Sequence, residues 1–369
     1  MLIGLACALT LAACGPPDSA GEGVASTLRQ VDTGGFERAE APWAFRFPAD
    51  HGPHPDFRDE WWYLTGNLDG PVSQRFGFQI TFFRHGLKRG MPQRASAWGG
   101  NEVYMAHFAV TDAAQRRFTS LQRISRTGPG LAGTRAEPFK VWVENWFLEA
   151  RLSGGFPWQF RAEQEGVALD LKLTPLKPVI LHGERGLARK GPDAGNASYY
   201  YSIPRLAAEG TLRLDGSETS VKGLAWLDRE WSTQMLADYQ AGWDWFSLQL
   251  ADGTDIMFIR IRRRDGTEEP ASSGSLIRAD GSMSPLARDD VSIEVLATWD
   301  SPAGASYPAR WRLTLRKSGR TLEIRPVLAD QELRQEARYW EGAVDVFEVG
   351  TGSPAGRGYV ELTGYAPDK

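Results

Sequence analysis

Trp62-Tyr-Leu-Thr-Gly-Asn-Leu-Asp-Gly70 and Trp245-Phe-Ser-Leu-Gln-Leu-Ala-Asp-Gly253 are the stretches whose reading decides the fold. Each starts on Trp and closes on Asp-Gly at the same offset. Period-two alternation of side chains ended by Asp-Gly is the pattern of a strand running into a tight turn. Each copy continues into an apolar strand ending in Arg, Phe76 to Arg84 and Ile256 to Arg262. Two like units in one chain point to two copies of one architecture.

Both units bring an acid into an apolar face. Glu60 has the parity of Trp62, Leu64 and Leu68, and Asp244 that of Phe246, Leu248 and Leu250. Such a carboxylate lies at the wet end of its strand or points into an enclosed cavity, because burying it alone is costly. Both readings stay open. Between the units lies Trp226-Leu-Asp-Arg-Glu-Trp231. If it is extended, Asp228 and Glu230 share the face of Trp226, and Arg229 points the other way. Paired acids can split their pKa values and divide acid and base work. Solvated or salt-bridged acids are the alternative. His107, inside the apolar run Val103 to Val110, is either a satisfied core histidine or a cavity-facing polar group.

The rest of the chain reads as strands. Turn signals separate alternating segments at 58–68, 75–85, 102–112, 115–126, 138–150, 156–163 and 168–173, then at 199–203, 210–214 and 221–227. After 240 come 242–250, 255–263, 275–278, 291–299, 309–315, 320–326, 339–349 and 358–365. Ser232 to Tyr239 and Asp330 to Ala337 read as short helices. Forty Gly and 22 Pro suit an all-β chain rich in turns, and 14 Trp suit aromatic-lined cavities. A chain of 369 residues with 24% charged residues and a net charge of −4 has room for two domains and carries no basic excess for nucleic acid.

Several motifs carry no chemistry. Gly128-Pro-Gly-Leu-Ala-Gly133 matches a phosphate-loop spacing, but it leads into a strand and Pro129 removes an amide. The five histidines lack metal-ligand spacing, so neither a metal nor a cofactor is expected. Both cysteines lie in the first 14 residues, where the apolar run Leu2 to Ala13 ends Leu11-Ala-Ala-Cys14. That run has signal-peptide length. It resembles a bacterial lipobox with Cys14 lipidated, followed by a Gly-, Ser- and Ala-rich tether.

A family resemblance spans residues 45 to 367 with its motifs in order. Asp56-Phe-Arg-Asp-Glu-Trp-Trp-Tyr-Leu-Thr-Gly-Asn-Leu68, Gln79-Ile-Thr-Phe-Phe-Arg84, Tyr104-Met-Ala-His-Phe108 and Tyr199-Tyr-Tyr-Ser-Ile-Pro204 carry it. So do Gly223 to Trp231, Gly242 to Leu250 and Tyr359-Val-Glu-Leu-Thr-Gly-Tyr365. They resemble the carotenoid 1,2-hydratase family, which includes hydroxyneurosporene synthase and AttH-like proteins, with the AttH-like lipoproteins the nearer match. The resemblance implies two lipocalin-like β-barrels in tandem. Its namesakes protonate a terminal C=C of a carotenoid and let water attack the tertiary cation. They carry His where Arg229 stands here, and their later acid would fall near Ile256 to Phe258, which offers none.

The expected protein is thus all-β. It has a signal peptide at 1–14, a tether at 15–42, an N-terminal barrel at 43–232 and a C-terminal barrel at 233–369. It is expected to sit at the periplasmic face of a bacterial membrane, held by its lipid, and to bind a long apolar ligand, an isoprenoid, polyene or lipid, in a barrel cavity. An envelope ABC transporter is a partner that such a carrier could serve. The other reading is a hydro-lyase or isomerase acting on the ligand's C=C by acid catalysis. Candidate catalytic acids are Asp228, Glu230, Asp244 and Glu60. Candidate ligand-binding residues are Trp62, His107, Trp231, Trp243, Trp245 and Arg229. A buried, perturbed carboxylate in the cavity favours the enzyme; an acid-free apolar cavity favours the carrier.

Overall fold

A computed structural model describes residues 34–90, 96, 99–152 and 155–366; Cys14, the signal-like run and most of the tether lie outside them. The described residues fold into two antiparallel sheets. The first comprises 13 strands between Asp59 and Ser232. It curls until its edge strands Arg117–Arg126 and Ala132–Arg135 approach one another. The second comprises 10 strands between Gln240 and Leu362, with edge strands Met283–Ala287 and Val291–Asp300 joined by a single 3₁₀ turn. Both sheets are barrel-like, as the tandem lipocalin-like reading expects.

Alternation decides what each barrel encloses. In Asp59–Asp69, Trp62, Leu64 and Leu68 point inward with Phe76, Phe78, Ile80 and Phe82 of the next strand. In Gln240–Leu250, Phe246, Leu248 and Leu250 point into the second barrel against Trp311, Leu313 and Trp340. Most odd-numbered residues of the same two strands are also buried, because the outer faces pack on each other. Tyr63, Tyr200, Trp226, Trp245, Met257, Ile259 and Tyr359 form this third core.

Polar contacts fasten the seam between the barrels. Lys177 and Arg205 of the first barrel hold the buried Asp255 of the second at 2.7 and 2.6 Å. Arg75 pairs with Asp345 at 2.7 Å and Arg357 with Asp69 at 2.8 Å. Gln249 donates to the carbonyls of Pro204 and Ala225.

The two expected helices are absent. Residues 233–239 cross between the sheets as an irregular link, and Glu332–Arg334 is a short strand on Arg338–Glu348. Neither segment is long enough for packing to stabilise isolated turns of helix. The expected strand at 138–150 is a hairpin that turns at Glu144, a residue with φ +57°. The segments 199–203 and 210–214 form one strand, Ala197–Leu214, with a bulge just after Ile203 where Pro204 and Arg205 drop out of the ladder.

The internal repeat is real in kind and one residue out in register. Glu60 faces Arg84 across its hairpin, and Asp244 faces Arg260 across the corresponding one. These acid–arginine pairs are the equivalent positions, so Trp61, not Trp62, corresponds to Trp245. Trp61 and Trp245 both face the seam.

Candidate active site at the barrel junction

A cavity open to solvent lies between the outer faces of the barrels. Half-buried Trp61, Phe83, Trp243 and Glu361 stand at its mouth, and Tyr63, Thr81, Trp245, Tyr339 and Glu341 lie deeper. Register explains its polar floor. Gln122, His107, Thr81, Tyr63, Asp228 and Ser202 are direct cross-strand neighbours, one per strand, across six adjacent strands of the first barrel. Glu341, Glu361 and Trp245 form the facing row of the second barrel.

The four acids of the cavity have different surroundings. The oxygens of Asp228 accept from Tyr200 at 2.5 Å, from Trp226 at 2.6 Å and from Ser202. Behind Ser202, His182 donates from Nε2 at 2.6 Å and accepts at Nδ1 from Ser275 of the second barrel at 2.9 Å, which fixes its neutral tautomer. Burial holds His182 neutral, lowering its pKa to about 3. Burial pushes the Asp228 carboxyl up to about 7, against the three donors that favour its charge. Glu230 is different: it pairs with buried Lys190 at 2.7 Å and accepts from Ser198.

Glu341 and Glu361 are neighbours across two strands of the second barrel. Burial and then the charge of Glu361 hold Glu341 well above the ordinary carboxylate range. The Tyr63 and Tyr339 hydroxyls are its nearest polar groups, yet neither oxygen of Glu341 completes a hydrogen bond of good geometry. Tyr339 instead meets Nδ1 of His107 at 2.8 Å. Glu361 is raised to about 8 by burial and by the charges of Glu230 and Asp228. The cavity thus gathers three carboxyls, Asp228, Glu341 and Glu361, that burial raises above the ordinary carboxylate range.

These raised values have a consequence for stability. A folded state that binds more protons than the unfolded one loses stability as pH rises. The loss runs from the ordinary carboxylate range, near 4.5, up through about 8. A Glu341→Gln/Glu361→Gln variant is therefore expected to match wild type in melting temperature at pH 5 and to exceed it at pH 8. An equal difference at both pH values would mean that the two acids are charged throughout.

The candidates chosen from sequence fall into two groups. Asp228, Glu230, Trp243 and Trp245 line the junction cavity. Glu60, Trp62, Arg229 and Trp231 have the opposite parity and lie within the first barrel. Arg229 donates to Glu60 at 2.6 Å with its guanidinium 4.0 Å from the Trp62 ring centroid. Trp231 stacks on His54 at 3.6 Å under the segment that crosses this end of the barrel. Asp244 lies inside the second barrel, bonded to Arg260, Arg262 and Tyr365. His107 sits one contact behind the cavity, on Tyr339. The aromatic-lined cavity is therefore between the barrels, whereas the first barrel's interior holds a large core of aromatic and aliphatic side chains.

Sequence reasoning overlooked Glu341 and Glu361. Both break apolar alternation in segments it marked as strands, Glu341 between Tyr339 and Ala343 and Glu361 between Tyr359 and Thr363. That is the signal which drew attention to Glu60 and Asp244.

Comparisons with known proteins agree with the fold. The sequence profile of the AttH-like family matches residues 38–365. A Nitrosomonas europaea protein assigned as an AttH is 39% identical, and the match covers 89% of this chain and 100% of that one with a TM-score of 0.80. Kievitone hydratase of Nectria haematococca is 16% identical over 90% of this chain and 97% of its own, with a TM-score of 0.67. CghA is 14% identical over 92% and 98%, with a TM-score of 0.54. No curated protein matches the chain.

Proposed function

The chain belongs to the AttH-like family, and on that premise we propose that it is a hydratase-like enzyme acting on a C=C bond of an apolar, isoprenoid-like molecule held at the barrel junction. One observation carries the reading: the carboxyl of Glu341 is buried in an aromatic-lined cavity, burial holds it well above the ordinary carboxylate range, and neither of its oxygens completes a hydrogen bond of good geometry. An acid whose proton is not bonded elsewhere can direct it at a π bond. The name of kievitone hydratase, which shares the fold, is in keeping with this chemistry.

Glu341 delivers its proton to one alkene carbon, and the π electrons form the new C–H bond. The adjacent carbon becomes a cation among the rings of Trp61, Trp243 and Trp245. Water forms the C–O bond, and its proton passes to the Asp228 carboxylate, the group on which three donors converge. The proton then returns to Glu341. Tyr63 adjoins both acids and its hydroxyl is unpartnered, so it is the nearest carrier. Water and the carboxyls are restored and no external reductant or oxidant is needed.

The test is incubation with a panel of isoprenoid alkenes in D₂O, read by mass spectrometry. The expected product gains one deuterium on carbon and one exchangeable hydroxyl. Recovery of every alkene unchanged, with binding intact, would return the reading to a carrier. The Leu11-Ala-Ala-Cys14 motif supports anchoring of this activity at the periplasmic face of a membrane. Cys14→Ala should then move the protein to the soluble fraction.

A further inference from the structure

The cavity's charge is one-sided. Among the described residues Lys190 is the only Lys or Arg lining it, and Glu230 already holds it at 2.7 Å. Asp228 is held by hydroxyls and an indole, and burial and like charge dominate at Glu341 and Glu361. Around these acids stand Trp61, Tyr63, Phe83, Trp243, Trp245 and Tyr339. The Tyr63 and Trp245 rings meet edge to face at 5.0 Å and 89°, so adjoining walls offer different aspects of the ring. Ring faces carry partial negative charge and attract cations.

The unpartnered atoms narrow the ligand further. Both Glu341 oxygens and the Tyr63 hydroxyl are buried without a bond. A ligand that brings a donor removes that penalty. A hydrocarbon leaves it in place, and an anion meets three acids with no free cation among the described residues that line the cavity.

We propose that the junction cavity binds an organic cation, a protonated tertiary amine on an apolar chain, with its N–H donated to Glu341 and its alkyl groups on the Trp rings. One carboxyl ionises as the cation arrives, and its proton leaves to solvent, so the charge of the filled cavity balances. The inference rests on the junction cavity being the ligand site. Where alkene protonation also holds, the ammonium mimics the carbocation and should bind more tightly than a neutral analogue.

The test is calorimetric titration of the full chain at neutral pH with N,N-dimethyloctylamine, the neutral alcohol 2-methyl-2-decanol and decanoate, all below their micellar concentrations. The amine should bind at least tenfold more tightly than the alcohol, and decanoate most weakly. Glu341→Gln/Glu361→Gln should lose the preference for the amine. Trp245→Leu keeps every charge and should still weaken amine binding about tenfold. Equal affinity of wild type for amine and alcohol, or a preference surviving in both variants, overturns the proposal. Alkene hydration is assayed in parallel: turnover without amine preference removes the cation site alone, whereas amine preference without turnover removes the hydration reading alone.

Discussion

Replacing Glu341 by Gln is expected to reduce turnover of an alkene substrate by about 10²- to 10⁴-fold, the usual worth of a positioned general acid. The substitution keeps the shape of the side chain and removes the proton that the reaction consumes. Glu341 is fully buried, so a charged form there would be paid for in folding energy. The amide has no such penalty, and the variant should fold at least as well as wild type. Substrate binding should persist, so the loss falls on kcat more than on KM. Asp228→Asn removes the acceptor and should also lower kcat. It also leaves Ser202, Tyr200 and Trp226 donating to a group that is half donor itself, so its melting temperature should fall. A Glu341→Gln variant with wild-type kcat would remove Glu341 from the chemistry.

Arg229→Met should have the largest effect on stability, a loss of roughly 3–5 kcal/mol as expected for one partner of a buried ion pair. The guanidinium is fully buried. It bonds Glu60 at 2.6 Å, the Gly52 carbonyl at 2.6 Å and the Trp61 carbonyl at 2.9 Å. Met fills similar space and satisfies none of them. Burial pulls the Glu60 carboxyl up, but Arg229 and Arg84 overcome this and hold it well below the ordinary carboxylate range. Its stabilisation is present above that range and disappears only as pH falls through the depressed value. Without Arg229 the folded-state pKa of Glu60 moves back toward its unfolded value, so the acid-induced loss that this group contributes should shrink. Chemical denaturation of Arg229→Met, and of Arg229→Met/Glu60→Gln, measures this. The double variant should recover part of the loss. Catalysis per folded molecule should change little, because Arg229 points away from the junction cavity. A stable Arg229→Met with no turnover would contradict that separation.

Much of the fold is legible in the sequence because alternation and turn chemistry are local. The strands 102–112, 255–263 and 320–326 lie at the residues that the pattern assigns. The parity argument at 226–231 also holds: Asp228 and Glu230 share one face and Arg229 the other. What the pattern lacks is knowledge of what covers each face. An alternating strand is ordinarily wet on its second face. Here the outer faces of two barrels cover each other, so nothing in the alternation distinguishes Glu341 and Glu361 from solvated acids, and the fold makes them cavity acids. The same gap explains Glu60 and Asp244. Each enters an apolar face, but an arginine that neutralises it lies on the neighbouring strand, Arg84 or Arg260. Trp-to-Trp identity aligns Trp62 with Trp245. Hairpin geometry instead aligns the acid–arginine pairs, and the second hairpin is one residue shorter between that pair and its Asp-Gly turn.

The uncharged acid at the junction is most directly tested by infrared difference spectroscopy of wild type against Glu341→Gln in D₂O at pH 7. The account predicts that wild type shows C=O stretches of protonated carboxyls and that the variant lacks the one that belongs to Glu341, while any from Glu361 and Asp228 remain. A wild-type spectrum containing only ionised carboxylate bands, with none removed by the substitution, would contradict it.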